Sequence, residues 1–576
     1  MFHFVLSQKN CLAILVSILA ITACDTTAPQ DKAKSSSSTP SFELSQSEFN
    51  SLSKENQYAV LNKVLAPMGR GMPLDEFADT TKGLDSLVLK DSKSLDTLRT
   101  SLKTGLSYSK QENLDTELFG ADATYDDDGN EITSEVDAMF SYSSDDPQEI
   151  YMARMLRYPL SKNQFDNWMA YFLADTIMFS PAREMDSTDY QDISRVLAYL
   201  KLNIEQDVSI RQIVRGWLGD LSRWRVSRSP ENHALEMFEL YLGKFNDTEE
   251  DQLNTYNGGL VCGQWYLTDA DANYQLQYDA SKLGLSAPVL VLNNYIQTCD
   301  ELYDLVAGHA LLIPRVTEVI VNYFLDGESE DTRLQLISNI IATDPTTFRD
   351  IFTHIIFSEA YLLDSDRVKS FEESAFAIMD RLDWNPKSSS AGSLGSNFLN
   401  LVTNTGTSDS LAMDNMGWAA MEYKIGRTPY VPLDALSFAN YHKALRERIL
   451  LNQRAYDGAT FPTDDDDDES NNVFDYPDGA FYVAGEEDLK PSLENLTAEE
   501  FIDYVFLTAL GRRATDAEQT ALIEDGISRS YVIEDGDTNK LYSDSSYKES
   551  RADDFAEEML DYISRLPEFY YFRSYR

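Results

Sequence analysis

The stretch Ile210-Arg211-Gln212-Ile213-Val214-Arg215-Gly216-Trp217-Leu218-Gly219-Asp220-Leu221 decides the fold class. Its apolar side chains fall at Ile210, Ile213, Val214, Trp217, Leu218 and Leu221, steps of three and four that line up on one face of an α-helix. The same spacing returns behind Asp344-Pro345 at Phe348, Ile351, Phe352, Ile355 and Ile356, with Asp344 expected as the cap and Pro345 in the first turn. Further helices are expected over Val316 to Leu325, Leu334 to Ile341 and Phe371 to Leu382, and alternating strand patterns are scarce. The expected fold is mainly α: a multi-helical globular core with long acidic loops and a small C-terminal helical module.

Composition supports a folded chain and narrows its partners. Of 576 residues, 43% are apolar and 11% aromatic, enough to bury real cores. The formal charge of −48 repels phosphate backbones and anionic lipid alike, so nucleic-acid binding is excluded as an expectation. Neither a phosphate-cradling Gly-rich loop nor a dinucleotide fingerprint nor a His-Glu-x-x-His zinc motif is present, and no nucleophile elbow appears. His233, His309, His354 and His442 are scattered, and His354, beside Ile355, Ile356 and Phe357, reads as a satisfied core histidine.

The N-terminus carries Lys9 and a short apolar run from Cys11 to Ile21. That run is too short for the roughly 20 residues of a membrane-crossing helix and reads as a secretory signal. Its end, Ile21-Thr22-Ala23-Cys24, resembles the lipobox of bacterial lipoproteins, which implies cleavage before Cys24 and acylation of that residue. Several acyl chains hold a protein stably on a membrane where one does so marginally. Asp25 follows, which resembles an inner-membrane retention signal of enteric bacteria, and the choice of membrane stays open. Cys11 leaves with the signal and Cys24 takes lipid, so Cys262 and Cys299 remain, and a disulfide between them is expected for an exported chain. The alternative is a pair of buried thiols.

The expected organisation is a signal peptide over residues 1–23, a polar tether over 24–45 and an N-terminal helical region over 46–150. The main helical domain then spans 151–455, an acidic linker 456–491 and the C-terminal helical module 492–576. The linker contains Asp464 to Asp468, and the module shows two capping-box patterns, Thr497-Ala498-Glu499-Glu500 and Thr515-Asp516-Ala517-Glu518.

Three segments suggest chemistry. In Ser229 to Gly243, Ser229 can cap a helix, Pro230 can start it and Gly243 can end it. Asn232, Glu236 and Glu239 then share one face beside an expected core face of Leu235, Phe238 and Leu242. Paired carboxylates with an amide suit acid–base catalysis, and the plainer alternative is a polar stripe answered by arginines of a neighbouring helix. Thr124 to Glu135 approximates a calcium loop, with Asp126, Asp128 and Glu135 at ligand positions and Gly129 at the turn, but with Thr124 where aspartate belongs. An acidic surface loop is the plainer alternative. Asp535-Gly536-Asp537-Thr538-Asn539 is a weaker echo. Leu510-Gly511-Arg512-Arg513 followed by Thr515 and Glu518 resembles small helical modules of large secreted bacterial proteins, implying a structural or interaction role.

Glu231-Asn232-x-Ala234-x-Glu236-x-x-Glu239-Leu240-x-Leu242-Gly243 resembles the signature of a bacterial exported family catalogued as domain of unknown function number eighteen hundred. That family has Asn at the place of Pro230 and Arg at the place of Leu235, two departures here. Cys262-Gly263-Gln264-Trp265, the Val316 to Leu363 stretch, Met416-Gly417-Trp418, Lys424-Ile425-Gly426-Arg427 and Val431-Pro432-Leu433-Asp434 resemble its later segments in order. The resemblance spans roughly Met152 to Gln453 and implies an exported helical protein, often encoded beside a secreted sulfatase-like partner, with no established activity. The leading expectation is a lipid-anchored envelope protein that binds or presents an exported protein. The alternatives are a hydrolase of extracellular polymers using Glu236, Glu239 and Asn232, and a calcium-stabilised structural surface protein.

Overall fold

Helices here begin where a short polar side chain takes the place of the missing backbone partner. Ser209, Ser229, Thr248, Thr298 and Ser329 each accept the backbone amide three residues on. In this computed structural model the described residues are 40–68, 94–104, 164–178, 199–221, 229–267, 276–279, 287–369, 373, 498–523, 559 and 562–576. Cys24, the Asp126, Asp128 and Glu135 loop, Phe371 to Leu382 apart from Glu373, Met416 to Asp434, Asp464 to Asp468 and Asp535 to Asn539 lie outside them. In chain order the main helices are α1 (Lys54–Leu65), α2 (Leu95–Thr104), α3 (Gln164–Asp175), α4 (Ile210–Gly216), α5 (Pro230–Leu242) and α6 (Glu249–Cys262). They continue as α7 (Cys299–Gly308), α8 (Leu312–Phe324), α9 (Glu330–Ala342), α10 (Phe348–Ile356) and α11 (Ala498–Leu510). Between α6 and α7 stand two antiparallel hairpins, β1 (Trp265–Leu267) with β2 (Leu276–Tyr278), and β3 (Val289–Val291) with β4 (Asn294–Ile296). Of the described residues 68% are helical and 5% extended, so the fold is mainly α.

The opening stripe behaves as its spacing dictates: Ile210, Ile213, Val214, Trp217 and Leu218 are all buried. The Asp344-Pro345 expectation is corrected. Asp344 adopts a left-handed backbone, φ 56°, just past the end of α9, and Pro345 follows as a residue that cannot continue a helix. The cap of α10 is Thr347, whose hydroxyl accepts the Asp350 amide while the Asp350 carboxylate accepts the Thr347 amide at 3.0 Å.

Aromatic rings fill the centre. Trp168 and Phe172 of α3 meet Phe352 of α10 edge-on at centroid separations of 5.2 and 5.1 Å, and Phe324 of α8 meets Tyr361 at 5.3 Å. Arg349, largely buried, ties α10 outward: it pairs with Asp166 of α3 at 2.6 Å and donates to the Leu102 and Ile204 carbonyls. Helices α5 and α6 pack closely because α6 turns Gly258 and Gly259 toward α5. A Cβ on Gly258 would sit 2.9 Å from the Ala234 Cβ, and one on Gly259 2.9 Å from the Glu231 backbone.

Segment 357–369 is held from two sides. On one, Leu44 donates its amide to the Phe357 carbonyl and Glu359 to that of Phe42. These contacts, at Phe42 and Leu44, fall inside the stretch expected as tether. Glu43 explains this: its buried carboxylate meets Arg99 at 3.1 Å and His354 Nδ1 at 2.6 Å. On the other side, Lys369 donates its amide to the Tyr570 carbonyl, Phe572 to Arg367, and Tyr575 to Leu363. Three cations converge on this tail. The Phe572 ring lies 4.8 Å from the Arg367 guanidinium, 5.5 Å from the Lys63 ammonium and 5.6 Å from that of Lys369. Arg367, only 1% exposed, forks onto Glu373 at 2.9 and 2.5 Å. The Leu-Gly-Arg-Arg segment fastens α11 to the same core. Gly511 takes φ 68°, Arg512 forks onto Glu518 at 2.8 Å through both nitrogens, and Arg513 reaches Glu55 of α1 at 2.8 Å. The Arg512 hydrogen bonds hold the Glu518 carboxyl down at about 2.

Candidate interaction surface

Helix α6 ends at Cys262 and α7 begins at Cys299. The structure joins these two residues in a disulfide with Cα atoms 4.5 Å apart, closing a 37-residue separation that contains both hairpins. The β3–β4 hairpin is then stitched to α6 by two asparagines. Asn257 Nδ2 donates to the Leu290 carbonyl at 2.8 Å, and Asn254 Oδ1 accepts the Leu292 amide at 2.8 Å. The two-residue turn places Leu292 at φ 47° and Asn293 at φ 63°, the pair of left-handed conformations that match the twist of a hairpin. Leucine is an unfavourable residue there, at a cost of order 1–3 kcal/mol. Its side chain is 6% exposed, so burial in the core offsets the strain.

This anchoring decides what faces outward. The register pairs Leu290 with Tyr295, while Val291 and Ile296 turn inward. Tyr295 is 76% exposed and Leu290 39%. On α6, Leu253 and Tyr256 are 53% and 51% exposed, and the exposed Glu249 and Glu250 stand in its first turn. Helical spacing puts Glu249, Leu253 and Tyr256 in one stripe, beside the asparagine that grips Leu290. The result is a face of four large apolar side chains with acidic residues at its edge, built on a covalently closed frame. Its sequence signal was faint: two three-residue alternations around Leu292-Asn293.

The residues expected to carry chemistry on α5 are arranged differently. The caps match the sequence: Ser229 accepts the Asn232 amide at 3.1 Å, Pro230 opens the helix, and Gly243 ends it at φ 66°. The core face matches at Phe238 and Leu242 and departs at Leu235. His233, Ala234, Met237, Phe238, Tyr241 and Leu242 are buried, whereas Leu235 is half-buried, because α6 and α7 approach from the His233 side. His233 Nε2 lies 3.0 Å from the Tyr303 hydroxyl of α7. Asn232 is exposed, and Glu236 and Glu239 lie half-buried at the margin. Burial pushes the Glu239 carboxyl up, and repulsion from Glu236 and Asp247 adds to it. Arg315 of α8 opposes that rise, supplying from a neighbouring helix a positive charge that position 235 lacks.

His354 is satisfied but half-buried, on a seam rather than in the core. Its Nε2 lies 3.2 Å from the Thr343 hydroxyl and its Nδ1 2.6 Å from Glu43, so carboxylate, imidazole and hydroxyl stand in a row. The Thr343 hydroxyl also lies 2.7 Å from the Ile340 carbonyl, so a backbone acceptor competes with the imidazole for its one proton. The row is a clasp for the N-terminal segment. Among the described residues no group of three His, Cys, Asp or Glu is placed to hold a metal ion, and no helix is long and apolar enough to cross a membrane. Comparison with protein-family models, curated proteins and solved structures finds no match to this chain.

Proposed function

We propose that this chain is a lipid-anchored protein of the cell envelope that binds an exported protein through the outer face of α6 and the β3–β4 hairpin. The observation that carries the reading is the exposed set Leu253, Tyr256, Leu290 and Tyr295 on a disulfide-closed frame. Exposed apolar patches mark interaction sites, and tyrosines dominate binding energy in them. The acidic edge at Glu249 and Glu250 selects a partner with basic residues around an apolar centre. A secreted sulfatase-like protein is the partner the family resemblance implies. Cys24 supplies the anchor.

Tyr295→Ser and Leu253→Ser leave the melting temperature unchanged and each weaken capture of a cross-linked partner from detergent extracts by about tenfold or more. Capture weakens further with salt, and Cys24→Ser moves the protein out of the membrane fraction. Undiminished capture by both surface variants would overturn the reading.

One observation favours the hydrolase reading, the upward shift at Glu239. A carboxyl raised in the folded state weighs against the fold once pH climbs past its unfolded value of 4.5, and carries no penalty below it. Glu239→Gln therefore raises the melting temperature at pH 7 and leaves it unchanged near pH 4. If the same variant abolishes hydrolysis of an envelope polymer, the hydrolase reading replaces the binding one.

A further inference from the structure

Residues 571–575 line an open-sided cavity of about 30 Å³ against α1 and α11, bordered by Lys63, Lys369, Glu373, Thr508, Phe572 and Tyr575. Its hydrogen-bond ledger does not balance. Lys63 Nζ donates to the Ser365 carbonyl at 2.5 Å and to that of Arg573 at 3.4 Å. Lys369 Nζ donates to the Ala509 carbonyl at 3.0 Å and to that of Glu568 at 3.3 Å. An ammonium carries three protons, so each lysine has one more than the acceptors it reaches. The Tyr575 hydroxyl has no acceptor among the described residues, and the Thr508 hydroxyl is spent on the Tyr504 carbonyl. The border's carboxylate, Glu373, is engaged through both oxygens by Arg367.

Charge is unbalanced in the same sense. Lys63, Arg367 and Lys369 are buried with Glu373 as the buried carboxylate among them, and Asp364, Asp366, Glu328 and Glu568 act on the lysines from more exposed positions. Burial, with the Arg367 charge adding to it, pulls Lys63 down to about 7 and Lys369 to about 8.

We propose that this cavity binds a single small monovalent anion, chloride above all, held by the spare protons of Lys63 and Lys369 and by the Tyr575 hydroxyl. A space of about 30 Å³, roughly two water-sized spheres, suits a bare halide better than sulfate, phosphate or an organic carboxylate. Water would take up the spare protons and donate to the Thr508 and Tyr575 oxygens, but it brings no charge to a border with three buried cations and one buried carboxylate. The site requires the tail in place, because Phe572 and Tyr575 form part of its wall.

The test uses the full chain at pH 6, below the Lys63 value of about 7, and constant ionic strength, with sodium gluconate replaced stepwise by sodium chloride. The expected result is a saturable rise in melting temperature, reproduced by bromide, together with broadening of the chloride-35 NMR line that excess bromide reverses. Tyr575→Phe keeps the ring beside Lys63 and removes one donor, and moves both titrations to about tenfold higher halide. Lys369→Met abolishes them. A melting temperature indifferent to the exchange, with no line broadening, means that the cavity takes water and overturns the proposal. So does a halide response that Tyr575→Phe leaves unaltered, which would place the ion elsewhere.

Discussion

Replacing Glu373 by alanine lowers the stability of the fold by about 3–5 kcal/mol, measured by urea unfolding at pH 7. The cause is the arginine left behind. Arg367 is fully enclosed, with its guanidinium 4.8 Å from the Phe572 ring, 5.2 Å from Tyr323 and 5.6 Å from Phe324. It cannot shed its proton, so the variant must bury a charge whose counter-ion is gone or open the tail to water. Replacing both members of the pair by apolar residues, Arg367→Met with Glu373→Leu, restores most of the loss, since the cost lies in the orphaned charge rather than in the missing bond. A loss below about 1 kcal/mol in Glu373→Ala would mean that the guanidinium has another counter-ion.

The second large effect concerns the disulfide. Cys262→Ala with Cys299→Ala removes a cross-link that closes a 37-residue separation. Chain-entropy reasoning assigns such a loop about 4 kcal/mol, to be read from urea unfolding with and without reductant. Reduction also frees the hairpins at one end, so partner capture falls with stability. If stability drops while capture holds, the asparagine stitches at Asn254 and Asn257 suffice to shape the surface.

These two features differ in how much of them the amino-acid order reveals. The ends of α5 are legible because capping is local: Ser229, Pro230 and Gly243 act on amides and angles within a few residues of themselves. The start of α10 misleads because aspartate followed by proline has two local meanings, a beginning or an aftermath. The deciding pattern is the less conspicuous Thr347 with Asp350. The core face of α5 rotates away from Leu235 because the glycines of α6 and Tyr303 of α7 select it, and these lie tens of residues distant. The cluster around Phe572 is illegible for a stronger reason. Lysine and arginine read as surface residues, and nothing adjacent to Lys63 or Arg367 announces that residues 568–575 will cover them.

The clasp on segment 357–369 also bears on how the molecule is made. One half of it, Phe42 to Leu44, has long been synthesised when the segment emerges, whereas Ser574, which bonds the Leu363 carbonyl, is added 211 residues later. Until that moment a nascent chain carries Lys63 and Arg367 beside a groove that nothing has roofed. Residues 568–575 therefore cover a segment made some two hundred residues before them, and a chain truncated short of residue 568 leaves Lys63 and Arg367 without that cover.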